Sequence, residues 1–193
     1  MITRAIAVLL LSAAINVHAD QPVKVDSTKA GATKASPEKL NWLPFESIQK
    51  TFPVAPRPLF LYISQHGCEH CTMMDTAVFV RPEIVRFVNA NFTPVRVDIY
   101  LNTPLKVRDS LLQEEDFRRL LSIGGIPAYY FFDTAGQVIG VLDSSMDLLK
   151  FKRMLVYVTE GHFFRTPWVK FMELPQASAA AIEKRFRTGS RSK

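Results

Sequence analysis

Cys68 and Cys71 are the only two cysteines of the 193-residue chain, and their spacing constrains its fold more than any other feature. They lie in Gln65-His66-Gly67-Cys68-Glu69-His70-Cys71, directly after the apolar run Leu59-Phe60-Leu61-Tyr62-Ile63. A short apolar run behind the proline-rich break from Pro53 to Pro58 reads as a buried strand. Thr72-Met73-Met74-Asp75 reads as the start of a helix. A strand that hands two thiols to a helix N-terminus is a redox geometry. The free amides and the helix dipole favour a thiolate at Cys68, and one helical turn brings Cys71 within reach of a disulfide. Such a bridge closes a very small loop and restrains the unfolded chain little, which argues for chemistry over stability. An idle structural pair is the alternative.

Whether a disulfide is permitted depends on the compartment. Met1 to Arg4 is a short basic start, Ala5 to Ala14 is apolar, and Val17-His18-Ala19 has the small residues of a cleavage site. Residues 1–19 therefore read as a secretory signal peptide, too short for a comfortable membrane span, with an uncleaved anchor as the alternative. No second long apolar segment follows, so no stable span is expected after cleavage. An exported chain meets an oxidising milieu, where one intramolecular disulfide is allowed. Residues 20–37 are polar, rich in Lys, Ala, Ser and Thr, and read as a flexible linker.

The remaining length suits one domain, and a hydrophobic content of 48% is enough for a proper core. A short helix is expected through Trp42 and Leu43, and another over Phe45 to Phe52 with Phe45, Ile48 and Phe52 on one face. The helix opened by Cys68 should run to about Ala77, and Pro82 should open the next, with Ile84, Val85, Phe87 and Val88 as its apolar face. Phe92 to Ile99 alternates as a strand, and Tyr100 to Ser110 has no clear period and reads as a loop. Leu111 to Ile123 reads as a helix that turns Leu112, Phe117, Leu120 and Leu121 inward, broken by Gly124-Gly125-Ile126-Pro127. Two strands follow, Ala128 to Phe132 and Gln137 to Leu142, joined by a tight turn, and then an amphipathic helix from Asp147 to Thr159. The order is β–α–β–α–β–β–α.

Residues 161–193 form an aromatic and basic extension. Phe163, Phe164 and Trp168 are expected to cover the domain or a second subunit, and a helix is expected from Gln176 to Phe186. The end, with Arg185, Arg187, Arg191 and Lys193, reads as a solvated terminus, with an acidic partner or a membrane surface as the alternative. A net charge of +6 with no nucleic-acid module in the pattern gives no reason to expect a nucleic-acid partner.

Three landmarks in this order carry a family resemblance: Cys68-Glu69-His70-Cys71 after a strand, Val97-Asp98 closing the next strand, and Gly125-Ile126-Pro127 before a hairpin. Phe45 to Thr159 resembles the thioredoxin superfamily. Within it, Val80-Arg81-Pro82-Glu83-Ile84-Val85, the longer loop after Asp98 and Tyr157-Val158 are similar to the periplasmic SoxW-like thioredoxins. The resemblance implies an α/β, thioredoxin-like domain over residues 38–160, with a central mixed sheet flanked by helices and a cis peptide before Pro127. It also implies a periplasmic thiol–disulfide oxidoreductase that needs no cofactor. Its partners would be protein or small-thiol clients and a membrane or periplasmic redox partner.

On that reading Cys68 is the attacking thiol, and Cys71, a turn inside, resolves the mixed disulfide. His70 resembles the histidine of the oxidising members, DsbA and protein disulfide isomerase, and would stabilise the Cys68 thiolate. Glu69 would act in the opposite sense, and both residues are equally compatible with exposed positions of small effect. Ile126 and Pro127 would receive a client strand, although Pro127 also suits a plain strand start. Thioredoxins proper carry a buried acid on the strand entering the motif. Leu59 to Ile63 has none, and Glu69 or a water could take that place. The alternative reading is copper binding or delivery through His66, Cys68, His70 and Cys71, with Met73 and Met74 nearby. Four donors so close together do not easily surround one ion, and no metal site is expected.

Overall fold

The structure, a computed structural model, describes residues 39–99 and 104–188. The signal peptide expected over 1–19, the linker expected over 20–37, residues 100–103 of the expected loop and the terminal Arg191 and Lys193 lie outside the described residues. Thirteen helices and strands follow in chain order: β1 Leu43–Pro44, β2 Leu59–Ser64, α1 Glu69–Met73, α2 Pro82–Asn91, β3 Thr93–Asp98, β4 Leu105–Val107, β5 Ser110–Leu112, α3 Glu114–Leu121, β6 Ala128–Phe132, β7 Val138–Leu142, α4 Leu148–Thr159, α5 Trp168–Glu173 and α6 Ala179–Thr188.

Five strands make one mixed sheet in the order β1-β3-β2-β6-β7, with β1 and β2 parallel to β3, and β6 antiparallel to both β2 and β7. β2 lies at the centre and is buried along its whole length. Because successive strand side chains point to opposite faces, its residues divide between two cores. Phe60 and Tyr62 face α1, α2 and α4 and join Met74, Ile84, Val85, Phe151 and Leu155, with Tyr129 and Phe131 from β6. Leu59, Leu61 and Ile63 face the other way, toward Phe45, Ile48, Phe52 and Phe117, with Tyr130 and Phe132 from β6. Phe60 is the hub of the first core, 5.1 Å from the Phe131 ring and 5.8 Å from Phe151.

Four expected elements differ. Leu43 and Pro44 are not helical but pair with Val95 and Arg96 at the sheet edge, leaving Trp42 packed against Phe60, Tyr62 and Phe79. Phe45 to Phe52 does bury Phe45, Ile48 and Phe52, but as a 3-10 turn over Phe45–Ser47 followed by further turns. The stretch read as a loop contains the hairpin β4–β5, which takes Leu111 and Leu112 from the expected helix. α3 instead opens on Glu114, Glu115 and Asp116, three acids that favour a helix N-terminus, and it leaves Leu120 exposed.

In the extension, Trp168 and Phe171 pack against the Tyr157 ring, edge-on at 5.3 Å and tilted at 5.1 Å. Phe163 packs against the first core, whereas Phe164 is 76% exposed, its ring 4.0 Å from that of Phe163. α6 begins at Ala179, after a 3-10 turn over Pro175–Ala177, and is fastened by charge. Lys152 on α4, only 2% exposed, bonds Glu183 on α6 at 2.8 Å and Glu83 on α2 at 3.2 Å. Arg185 pairs with Glu160, so this part of the basic end is engaged rather than solvated. No helix among the described residues is long and apolar enough to cross a membrane.

Candidate active site

The parallel strands β2 and β3 end together, with Ser64 opposite Asp98, and the chain leaves β2 into the cysteine loop. Two bonds shape that loop. The His66 N–H donates to Asp98 Oδ1 at 3.2 Å, and the Cys68 N–H donates to the Gln65 carbonyl at 3.1 Å. Between them Gly67 adopts a φ of +74°, which an L side chain resists. From the other flank, Arg118 on α3, paired to Glu114, reaches Gln65 Oε1 at 3.3 Å. The loop is therefore tied to both neighbouring elements before it reaches the cysteines.

Cys68 is the N-cap of α1. Its Sγ accepts the Cys71 N–H at 3.0 Å, which satisfies one of the free amides at the helix start. The two cysteines are joined as a disulfide with their Cα atoms 5.2 Å apart. Their surroundings differ: Cys68 is half-buried, whereas Cys71 is 3% exposed and belongs to the core under α1. Glu69 and His70, between them, are both exposed.

The third landmark meets this loop through the sheet register. Ile63 pairs with Ala128, so Pro127 and Ile126 lie one and two residues beyond, at the same end of the sheet as Ser64 and Asp98. The Ile126–Pro127 peptide is cis, Pro127 is buried, and Ile126 packs against both cores. The residues read from the sequence as a site, Cys68, Glu69, His70, Cys71, Ile126 and Pro127, thus converge on one end of the sheet. Among the described residues no group of three or more His, Cys, Asp and Glu side chains converges as a metal site.

A polar group beneath Cys71 was hidden in the strand pattern. Tyr62, wholly buried on β2, gives its hydroxyl to the Cys71 carbonyl. Beside it Arg96 on β3 holds Asp75, one turn beyond Cys71, through two bonds of 3.1 and 2.8 Å. Burial, and after it the Asp75 carboxylate, pushes the Tyr62 hydroxyl well above the usual tyrosine value, so it remains a donor. The sequence shows only that a buried tyrosine needs a partner for its hydroxyl; the β2–β3 register, which sets Arg96 directly across from Tyr62, comes from the fold.

The family model for a thioredoxin-like domain matches residues 45–159, more than half of the chain. No curated protein matches. Among solved structures, a thioredoxin-fold protein from Helicobacter pylori is 16% identical over 69% of this chain and 86% of that one, with a TM-score of 0.48. A thioredoxin from Thermus thermophilus is 23% identical over 62% and 87%, with a TM-score of 0.48. The C-terminal domain of DsbD from Neisseria meningitidis, in its oxidised form, is 17% identical over 54% and 79%, with a TM-score of 0.42. These likenesses are too distant to carry an argument about activity, and the family rests on the domain match. The chain belongs to the thioredoxin-like family, and its bonded cysteine pair at the head of α1 makes it a thiol–disulfide oxidoreductase of that family.

Proposed function

We propose that the protein exchanges disulfides with protein or small-thiol clients in the periplasm, with Cys68 as the attacking thiol and Cys71 as the resolving one. The observation that carries this is the asymmetry of the pair: Cys68 caps the helix and is reachable, and Cys71 is buried behind it. When the pair is reduced, the Cys68 thiolate attacks one sulfur of a client disulfide. That bond breaks, and the second client sulfur leaves as a thiolate and takes a proton. Cys71, deprotonated in its turn, attacks Cys68 Sγ of the mixed disulfide, and the ring closes as the first client sulfur leaves. Two electrons and two protons pass from the pair to the client, and the reverse sequence oxidises a client dithiol.

Ile126, whose carbonyl and N–H precede the N–H-free Pro127, would pair with an extended client segment beside Cys68. His70 would stabilise the Cys68 thiolate and Glu69 would oppose it. The periplasmic setting is supported by the signal-peptide pattern of residues 1–19 and by the SoxW-like resemblance. Copper delivery has no observation in its favour. The test is trapping. Cys71→Ala, offered a peptide with one disulfide, is expected to accumulate a long-lived mixed disulfide at Cys68, and Cys68→Ala to accumulate little. Equal trapping by both variants would count against the assignment.

A further inference from the structure

The turn that carries Cys71 does not continue as a regular α-helix. α1 stops at Met73, and Met74–Val78 opens into a π turn in which the Phe79 N–H reaches back to the Met74 carbonyl at 2.9 Å. The Cys71 carbonyl faces the start of this widened turn. The Cys71 carbonyl takes the Met74 N–H and, from the sheet, the Tyr62 hydroxyl at 3.4 Å, a long contact for a hydroxyl bond.

The sheet side of this contact is rigid. The Tyr62 ring has Phe79 at 4.9 Å, Tyr129 at 5.5 Å and Trp42 at 5.6 Å, with the Arg96 guanidinium 5.2 Å from its centroid. Arg96 is itself fixed, giving Nε to Ser64 Oγ at 3.3 Å and both terminal nitrogens to Asp75. Two residues facing each other across the β2–β3 ladder therefore grip the same turn at two points, the Cys71 carbonyl and the Asp75 carboxylate. Cys68 has a different set of ties: its N–H goes to the Gln65 carbonyl, and its Sγ and carbonyl accept the Cys71 and Thr72 N–H groups.

We propose that Tyr62, supported by the Arg96–Asp75 pair, is a positioning residue for the resolving step: it holds the Cys71 turn against the sheet and so sets how fast Cys71 displaces a client from Cys68. This rests on Cys71 being the resolving thiol. Intramolecular attack gains its rate from a held geometry, and a turn that is free to shift loses part of that gain. Attack by Cys68 on the client does not use this grip.

The two steps can be read separately with 5,5′-dithiobis(2-nitrobenzoate) and the reduced full-length protein. The first thionitrobenzoate released reports attack, and the second reports resolution. Tyr62→Phe keeps the ring and removes the donor, and it is expected to slow the second release roughly threefold to tenfold while leaving the first unchanged. Asp75→Asn, which weakens the other grip without changing shape, is expected to slow the second release as well. Cys68→Ala checks the underlying assignment. If Cys68→Ala reacts as fast as the wild-type first phase, the roles of the cysteines are exchanged and the reading of the site fails. If Cys68→Ala is slow but both Tyr62→Phe and Asp75→Asn resolve at the wild-type rate, the positioning role alone is overturned. Equal slowing of both phases in those two variants would also overturn it, since that is general loosening.

Discussion

β2 and the loop that follows it are consecutive in the chain, yet different physics governs each. Every residue of Leu59–Ser64 is buried, and each apolar side chain serves one of two cores. In the loop, His66, Gly67, Glu69 and His70 are exposed, and the backbone is held by a few polar bonds to Asp98, Gln65 and the cysteine sulfur. Tyr62 apart, the strand contributes stability with no chemistry, and the loop contributes chemistry on a support it does not build. Substitutions in the loop and at the purely apolar strand positions should therefore separate stability from activity.

The largest effect is expected in the strand. Phe60→Ala removes the central ring of the first core and should cost about 3–5 kcal/mol of unfolding free energy. Denaturant unfolding measures that loss. The variant that remains folded should still form its disulfide, because the rings that Phe60 meets, among them Phe131 and Phe151, lie outside the cysteine loop. A mild loss of stability with a severe loss of exchange would break the division between the two regions.

Acid should act on the supports as well, through carboxylates outside the loop. Burial alone would raise the Glu83 carboxyl, but bonds from its own backbone and from Lys152 hold it below the usual value of 4.5. Burial likewise opposes the lowering of Glu160, which the bonds from Arg185 and His162 bring about. A carboxylate whose folded value is depressed adds stability above its unfolded value, and that stability is lost as pH falls through the folded one. The melting temperature should therefore hold near neutral pH and decline below about 4.5, and Glu83→Gln should flatten that decline. An unchanged slope in Glu83→Gln would remove Glu83 from the account.

The smallest effect belongs to the loop's exposed residues. His70→Ala should lower the reduction potential by no more than about 30 mV, because an exposed imidazole is screened by solvent. Equilibration with a glutathione buffer measures it. A rise in potential would reverse the role given to His70.

The same contrast governs what the sequence makes legible. The strand shows in its run of apolar residues, and the cysteine loop in its spacing, because few local structures produce either pattern. Pro127 shows as part of an ordered set of landmarks. The edge strand at Leu43–Pro44 does not, since two residues carry no period and owe their form to pairing with β3. Nor does the β4–β5 hairpin, where Leu111 and Leu112 imitate the apolar spacing of the helix that begins two residues later. Tyr62 reads as one more apolar residue of the run. Its hydroxyl acquires meaning only when the Cys71 turn and Arg96 are brought to it by tertiary contacts.

The most direct test of the central claim is the order in which the reduced thiols react. The fully reduced protein, pulsed with iodoacetamide near neutral pH and analysed by mass spectrometry of its peptides, should carry the label on Cys68 well before Cys71. The first thiol stands half-buried at the helix start, where free amides favour a thiolate, and burial shields the second. Labelling of Cys71 at the same rate as Cys68, or ahead of it, would contradict the account.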